Sequence, residues 1–364
     1  MQSNPLNFLI LITIMKHNFH KVLKLFVLFI PVTILLNSCG RDFKSVEDFV
    51  TKHQVDIKKS SDLLAQDIYD SCLRRVNYII LTASNGIETR ENTLQGCNSD
   101  NKPNISRVKS ANSVLLDYMK QLGQVASGKT VSFDENISEL QTALTNLKVG
   151  TFTLPKTTVQ AGTNLFQIFV NALSKEKRGR ALKKAILCAD NSLQIYIKGN
   201  SSLKDNEEQN GGLINIAQEG YIDGIVEIEK TQINGYYETY FATLRTSKEP
   251  QIPVALEVEK DYNEAMKIVQ EKKDNAQNYI DVLKATAKAH SELKDVFQGT
   301  GKDAISTEEI KQLCQPVLAE RENDLEKNNL STKLDLKESE MIKAQEILSE
   351  YSQTVKSLHK NRTL

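Results

Sequence analysis

The chain has 364 residues with 46 Lys+Arg against 46 Asp+Glu, and so no formal net charge. Without the three lysines that precede residue 39, 43 basic and 46 acidic residues remain, a net charge of −3, which argues against a general nucleic-acid binder with its basic excess. A hydrophobic content of 40%, a charged content of 25%, no Trp, 16 Gly and 7 Pro predict a globular chain of long helices, since a β-sandwich or a large α/β sheet needs many more turns.

The first 38 residues hold two apolar runs, Leu6–Ile14 and Val22–Leu36, separated by Lys16-His17-Asn18-Phe19-His20-Lys21. The second run ends in Leu36-Asn37-Ser38-Cys39-Gly40. A basic head, a short apolar stretch and small residues before a cut are the parts of an export signal, and the stretch is shorter than the roughly 20 residues a spanning helix needs. Met15 is a candidate true start. Leu36-Asn37-Ser38-Cys39 resembles the lipobox of bacterial lipoproteins. The resemblance covers residues 15–40 and implies cleavage after Ser38, lipid on Cys39, a bacterial envelope location and, from Gly40, the outer membrane. It implies nothing about the rest of the chain.

Residues 39–58 read as a lipidated N-terminus and polar leader, and 59–198 as an N-terminal helical bundle. In Ser60–Ser84, Leu64, Ile68, Cys72, Val76 and Ile79 recur at helical spacing. Asn85–Asn104 reads as a polar loop. Ser106–Ala126 is helical through Val114, Leu115, Tyr118 and Leu122, Asn136–Leu147 is a shorter helix, and Gly150–Pro155 is a connector. Thr157–Leu173 and Arg180–Lys198 are helical, and Gly199–Gly212 is a polar linker.

Residues 213–364 are expected to pack on the same bundle. In Leu213–Arg245, Ile214, Ala217, Tyr221, Ile225 and Ile228 follow helical spacing, but Asn234-Gly235 between β-forming runs is a hairpin signal. Adjacent apolar pairs such as Tyr236-Tyr237 break the alternation of a half-buried strand, so helix is preferred. Val254–Phe297 carries a heptad-like stripe that includes Val258, Ala265, Val269, Ala276, Leu283 and Ala287, interrupted by Lys273 and His290. Gly299-Thr300-Gly301 stops it, and Ser306-Thr307-Glu308-Glu309 reads as a capping box for the next helix. The fold expected is all-α: an elongated helical bundle with a long C-terminal antiparallel, coiled-coil-like helix pair.

Gly123-Gln124-Val125-Ala126-Ser127-Gly128-Lys129-Thr130 matches the phosphate-loop pattern of nucleotide-binding proteins. That loop needs a preceding strand and an immediately following helix. Here a helix precedes, so Gly128 reads as a helix C-cap with Lys129 near the final carbonyls, and no nucleotide is expected. No metal-spaced His/Cys set and no catalytic constellation stands out, and no cofactor or metal is expected.

Four cysteines follow Cys39. A Cys72–Cys97 disulfide would tether the polar segment to the preceding helix, while Cys72 reads equally well as a small core residue. Cys188 and Cys314 sit on other apolar faces, and sequence alone does not select a pairing. Lys175, Lys177, Arg178, Arg180, Lys183 and Lys184 are candidates for contact with an anionic surface, against the alternative of solvated helix charges. Tyr236, Tyr237 and Tyr240 are candidates for a ligand groove, against the alternative of packing residues. The expected function is that of a non-enzymatic, membrane-anchored helical scaffold or interaction module with an envelope-protein or cell-wall partner. The alternative is a module that binds a cell-wall glycan or small ligand.

Overall fold

Helix α1 runs unbroken from Lys44 to Val76. The computed structural model describes residues 43–79, 84–129, 137–172, 178–199, 211–246, 252–315 and 330–360. The segment expected to be an export signal with a lipobox, residues 15–40, and Lys175 and Lys177 lie outside these residues. The polar leader expected up to residue 58 is the first half of α1. Its stripe of Val46, Val50 and Ile57, each at most 6% exposed, continues into Leu64, Ile68, Cys72 and Val76. This stripe is sparse among charged residues, so its helical period shows only against the partner that buries it.

The segment expected as a loop is also helical: α2 spans Gly86–Gly96 and a π-helical turn covers Cys97–Asn101. No residue of α2 is buried, and Cys97 at its end is 0% exposed. A helix without an apolar face is illegible to periodicity. Here Cys97 packs with Cys72 and Val76, with Tyr69, Leu73 and Leu94 around them. Helix α3, Lys102–Ser127, follows directly. It ends at Gly128, whose φ of 72° is the left-handed conformation that costs glycine no Cβ clash. The Gly128 and Lys129 amides donate to the carbonyls of Val125 (3.1 Å) and Gln124 (2.9 Å). The phosphate-loop-like string thus ends a helix, and Lys129 Nζ lies 3.7 Å from Glu47.

Helix α4 (Ile137–Thr145) leads into two two-residue antiparallel strands, β1 (Lys148–Val149) and β2 (Phe152–Thr153), paired Lys148 to Thr153 and Val149 to Phe152. Helices α5 (Lys156–Ala172) and α6 (Arg178–Lys198) pack on each other. A turn at Leu213–Asn215 opens an 11-residue π-helix, Ile216–Val226, that continues as α7, Glu227–Arg245. Residues 225–244 are therefore helical throughout, including Asn234-Gly235.

Helix α8, Ile252–Gln298, has 47 residues and is about 70 Å long at 1.5 Å per residue. In its first half the buried positions are Ala265 and Val269; from Ala276 onward the buried face widens to include Tyr279, Ile280, Val282, Leu283, Thr286, Ala287 and His290. Helices α7 and α8 are antiparallel: Lys273 bonds Glu227 (2.7 Å) at one end, and Tyr262 donates to Asn234 (3.2 Å) farther along. The segment after α8 departs from the expected long partner. The Ser306 capping box forms, but α9 (Thr307–Cys314) is short and packs on α6. After a turn at Leu330–Lys333, α10 (Glu338–Lys360) lies along α8, with Thr286 against Tyr351 (2.8 Å) and Lys288 against Glu350 (3.7 Å). Among the described residues the expected pair of long helices is thus reduced to α8 with the 23-residue α10.

Contacts divide the chain at Ser45/Val46, and Val46–Leu364 forms one unit. Two disulfides close it, Cys72–Cys97 and Cys188–Cys314. Among the described residues no helix is long and apolar enough to cross a membrane.

Candidate functional site

The π-helix continues directly into α7, which meets α1 where Glu229 pairs with Arg74. Gly220 and Gly224 within it face the β1–β2 turn, where a Cβ on Gly150 would come within 2.6 Å of the Gly220 carbonyl oxygen. π-Helices are rare, appear mostly as single turns within α-helices and are frequent at functional sites. Below this junction α7 presents Glu229, 1% exposed, to α1. Arg74 donates to both carboxylate oxygens, through Nε (2.6 Å) and a terminal nitrogen (3.0 Å), and the Ser71 hydroxyl donates to the second oxygen. One turn earlier on α1, the buried Asp67 carboxylate accepts from Lys272 of α8.

The electrostatics follow from burial and pairing. Burial raises the Asp67 pKa, and the Lys272 hydrogen bond and charge only partly offset it. For Arg74, burial acts to lower the pKa, but the Glu229 hydrogen bond and charge outweigh it, so its proton is held more tightly. Burial lowers the pKa of the neighbouring Arg75 guanidinium, with Glu229 opposing. Tyr221, on the π-helix, is 0% exposed beside these charges. Burial, followed by the charge of Asp67, raises its pKa far above the usual phenol range. Among the described residues its hydroxyl has no hydrogen-bond partner, a state that costs about 1–3 kcal/mol for a buried polar group.

One turn beyond this network lies a cluster of five tyrosines from three helical segments. Tyr78, just past α1, meets Tyr236 of α7 at 5.5 Å and 75°. Tyr236 meets Tyr237 at 5.1 Å and 83°, and Tyr237 meets Tyr262 of α8 at 5.3 Å and 67°. Tyr240 lies 6.3 Å from Tyr236 with the rings 25° from parallel. The edge-to-face pairs put the positive rim of one ring on the negative face of another. Tyr237 is buried and the other four are half-buried. Its pKa is pushed up to about 12 by burial, then by Tyr78, Asp261 and Tyr236. The three tyrosines noted in the sequence are therefore brought together, and Tyr78 and Tyr262 join them. Sequence reasoning missed both because their proximity depends on how α1 and α8 dock.

Of the basic cluster, Arg178, Arg180, Lys183 and Lys184 lie among the described residues. Lys183 and Lys184 are 2% and 5% exposed, and Lys183 bonds Glu340 (2.9 Å). Arg180 bonds Asp335 (2.5 Å). Lys183 thus makes a buried contact with α10, and Lys184 is buried beside it in the sequence.

A second polar set crosses the core. His290 of α8 meets Asp190 of α6 through Nδ1 (2.9 Å) and the Tyr118 hydroxyl of α3 through Nε2 (2.5 Å). Asp190 also accepts from Gln194 (3.1 Å). Burial acts to raise the Asp190 pKa, but the hydrogen bond and charge of His290 outweigh it and hold the carboxyl below its ordinary range. Complete burial drives Tyr118 well above its own. Among the described residues no group of three or more His, Cys, Asp and Glu is placed to hold a metal ion.

No protein-family model, curated protein or solved structure matches this chain.

Proposed function

We propose that this chain is a bacterial envelope lipoprotein, anchored through lipid on Cys39 and destined for the outer membrane. Its helical body serves as a scaffold or interaction module rather than an enzyme. The observation that carries the reading is the end of the α7–α8 pair, where Phe241 and Leu244 lie beside Ile252 and Ala255. Ile252 and Leu256 are 65% and 62% exposed. Large exposed apolar side chains gathered at one end of a helical pair suit contact with a partner. The lipobox supports the anchor. The pairing of all four body cysteines supports an oxidising compartment.

Photo-crosslinking in living cells tests the reading, with the crosslinker at Leu256 or, as a control, at the exposed Gln270 on the same helix. The expected result is one defined envelope protein captured from position 256 only, and lost when Cys39→Ala removes the lipid site. Equal capture from both positions, or none from either, would end the scaffold reading.

A second reading, a ligand-binding module, draws on the five-tyrosine cluster. Half-buried tyrosine rings offer stacking faces to a sugar or a small ligand.

A further inference from the structure

The geometry points to the tyrosine cluster, with Asp261 at its edge, as a binding site for an organic ammonium group. This rests on the ligand-module reading and names the chemistry of the ligand.

Three observations converge. First, Tyr236 and Tyr240 are one helical turn apart on α7, half-buried, with ring planes 25° apart. Similarly inclined rings on one helix face offer adjacent negative π-faces to a cation within about 6 Å of their centroids. Second, Asp261 directly precedes Tyr262 on α8, the residue that bonds Asn234 and meets Tyr237 of α7. Its carboxylate is exposed and, among the described residues, makes no ion pair. Its charge reaches both Tyr78 and Tyr237, whose pKa values it helps to raise. Third, the buried carboxylate of Glu229, whose charge also reaches Tyr78, is already bonded by Arg74. At Tyr78 the charges of Glu229 and Arg74 act in opposite directions, and the exposed Asp261 adds its negative charge to that of the ring faces.

These facts select among ligands. An anion would meet repulsion from Asp261 and from the ring faces. A neutral sugar would stack but gain nothing from the carboxylate. An ammonium group gains from both, and its methyl or methylene groups desolvate cheaply against the aromatic surface. The same chemistry is carried by a choline headgroup and by a lysine side chain, so both are used as probes.

The test uses the full chain in a detergent without choline, with ring-13C tyrosine followed by NMR. Choline chloride and N-acetyl-lysine methylamide are titrated against sodium chloride at equal ionic strength. The uncharged 3,3-dimethylbutan-1-ol serves as the neutral counterpart of choline, and chitotriose as the sugar. The expected result is saturable shifts with one or both ammonium probes, the tighter probe identifying the source. Tyr236→Phe keeps the affinity, while Tyr236→Leu loses about 2- to 5-fold, the range for an exposed cation–π contact. Asp261→Asn weakens binding and flattens its salt dependence. Equal binding of the alcohol and choline would overturn the proposal. Chitotriose binding that ignores Asp261→Asn, without ammonium binding, would also overturn it but retain the ligand module. No binding by any probe would remove both readings. Unchanged circular dichroism of each variant separates these outcomes from misfolding.

Discussion

Arg74 and Glu229 lie 155 residues apart in the chain and meet in a two-point hydrogen bond, 2.6 and 3.0 Å, at the boundary between α1 and α7. Glu229 is almost wholly buried and the Arg74 side chain is 26% exposed. Removing one member of a buried pair strands the other, which costs about 3–5 kcal/mol. Arg74→Met and Glu229→Leu singly should each lower unfolding free energy by about that amount, since the survivor loses its counter-charge. The double variant should recover most of the loss, because an apolar pair needs no desolvation. Urea unfolding of the four proteins as a double-mutant cycle measures this; additive losses would show that the pair does not couple.

The two disulfides should differ in worth by the lengths of the loops they close. The separations are 25 residues for Cys72–Cys97 and 126 for Cys188–Cys314. Loop-closure entropy assigns about 3.5 kcal/mol to the first and about 5 kcal/mol to the second. The Cys188→Ser/Cys314→Ser protein should therefore melt below the Cys72→Ser/Cys97→Ser protein. Because the loops do not overlap, the two losses should add. The reverse order would mean that the packing around Cys72 outweighs chain entropy.

Gly150 should tolerate no side chain. Its φ is +59°, and a Cβ would sit 2.6 Å from the Gly220 carbonyl oxygen. The left-handed conformation alone costs a non-glycine residue about 1–2 kcal/mol, and the clash adds to it. Gly150→Ala should lower the melting temperature and speed amide exchange across residues 216–226. Gly96→Ala, where a Cβ meets nothing within 4 Å, should be neutral or stabilise by up to about 1 kcal/mol. Equal melting temperatures for the two variants would dissociate the turn from the stability of the π-helix.

The Asp190–His290 pair predicts a pH dependence whose sign follows from linkage. Despite its burial, Asp190 is held below its ordinary pKa of 3.8 in the native state, chiefly by His290. The unfolded chain therefore binds more protons in that range, and stability rises with pH. The contribution is fully present above the unfolded value and is lost as pH falls through the native one. Asp190→Asn should destabilise the protein near neutrality, and its deficit should shrink at strongly acidic pH. Unfolding free energies from about pH 2.5 to 7 read this; a constant deficit would assign the loss to packing rather than charge.

The elements legible in the sequence are those held by short-range interactions. α8 is visible because Ala265, Val269, Ala276, Leu283 and Ala287 repeat at the helical period. Its end at Gly299, with φ of +77°, and the Ser306–Glu309 capping box are set by groups within a few residues of each other. Gly128 ends α3 for the same reason, and this local context separates a helix cap from a phosphate loop. The competing signal at Asn234-Gly235 is local too, and the helical stripe through Ile225, Ile233 and Tyr237 prevails over it because those side chains are buried.

Tertiary packing alone decided the rest. α2 has no buried residue of its own, so its place depends on a disulfide from α1. The charge of Lys183 is the same in any sequence context, but the Glu340 carboxylate and 2% exposure determine what it does. The tyrosine cluster required Tyr78, Tyr237 and Tyr262 to arrive from three helical segments. Sequence by itself determined the helical class and the main helix stops, since each rests on neighbours in the chain. The pairing of cysteines, the buried ion pairs and the tyrosine cluster depend on distances through space. Burial and pairing energies follow those distances, and no spacing in the chain encodes them.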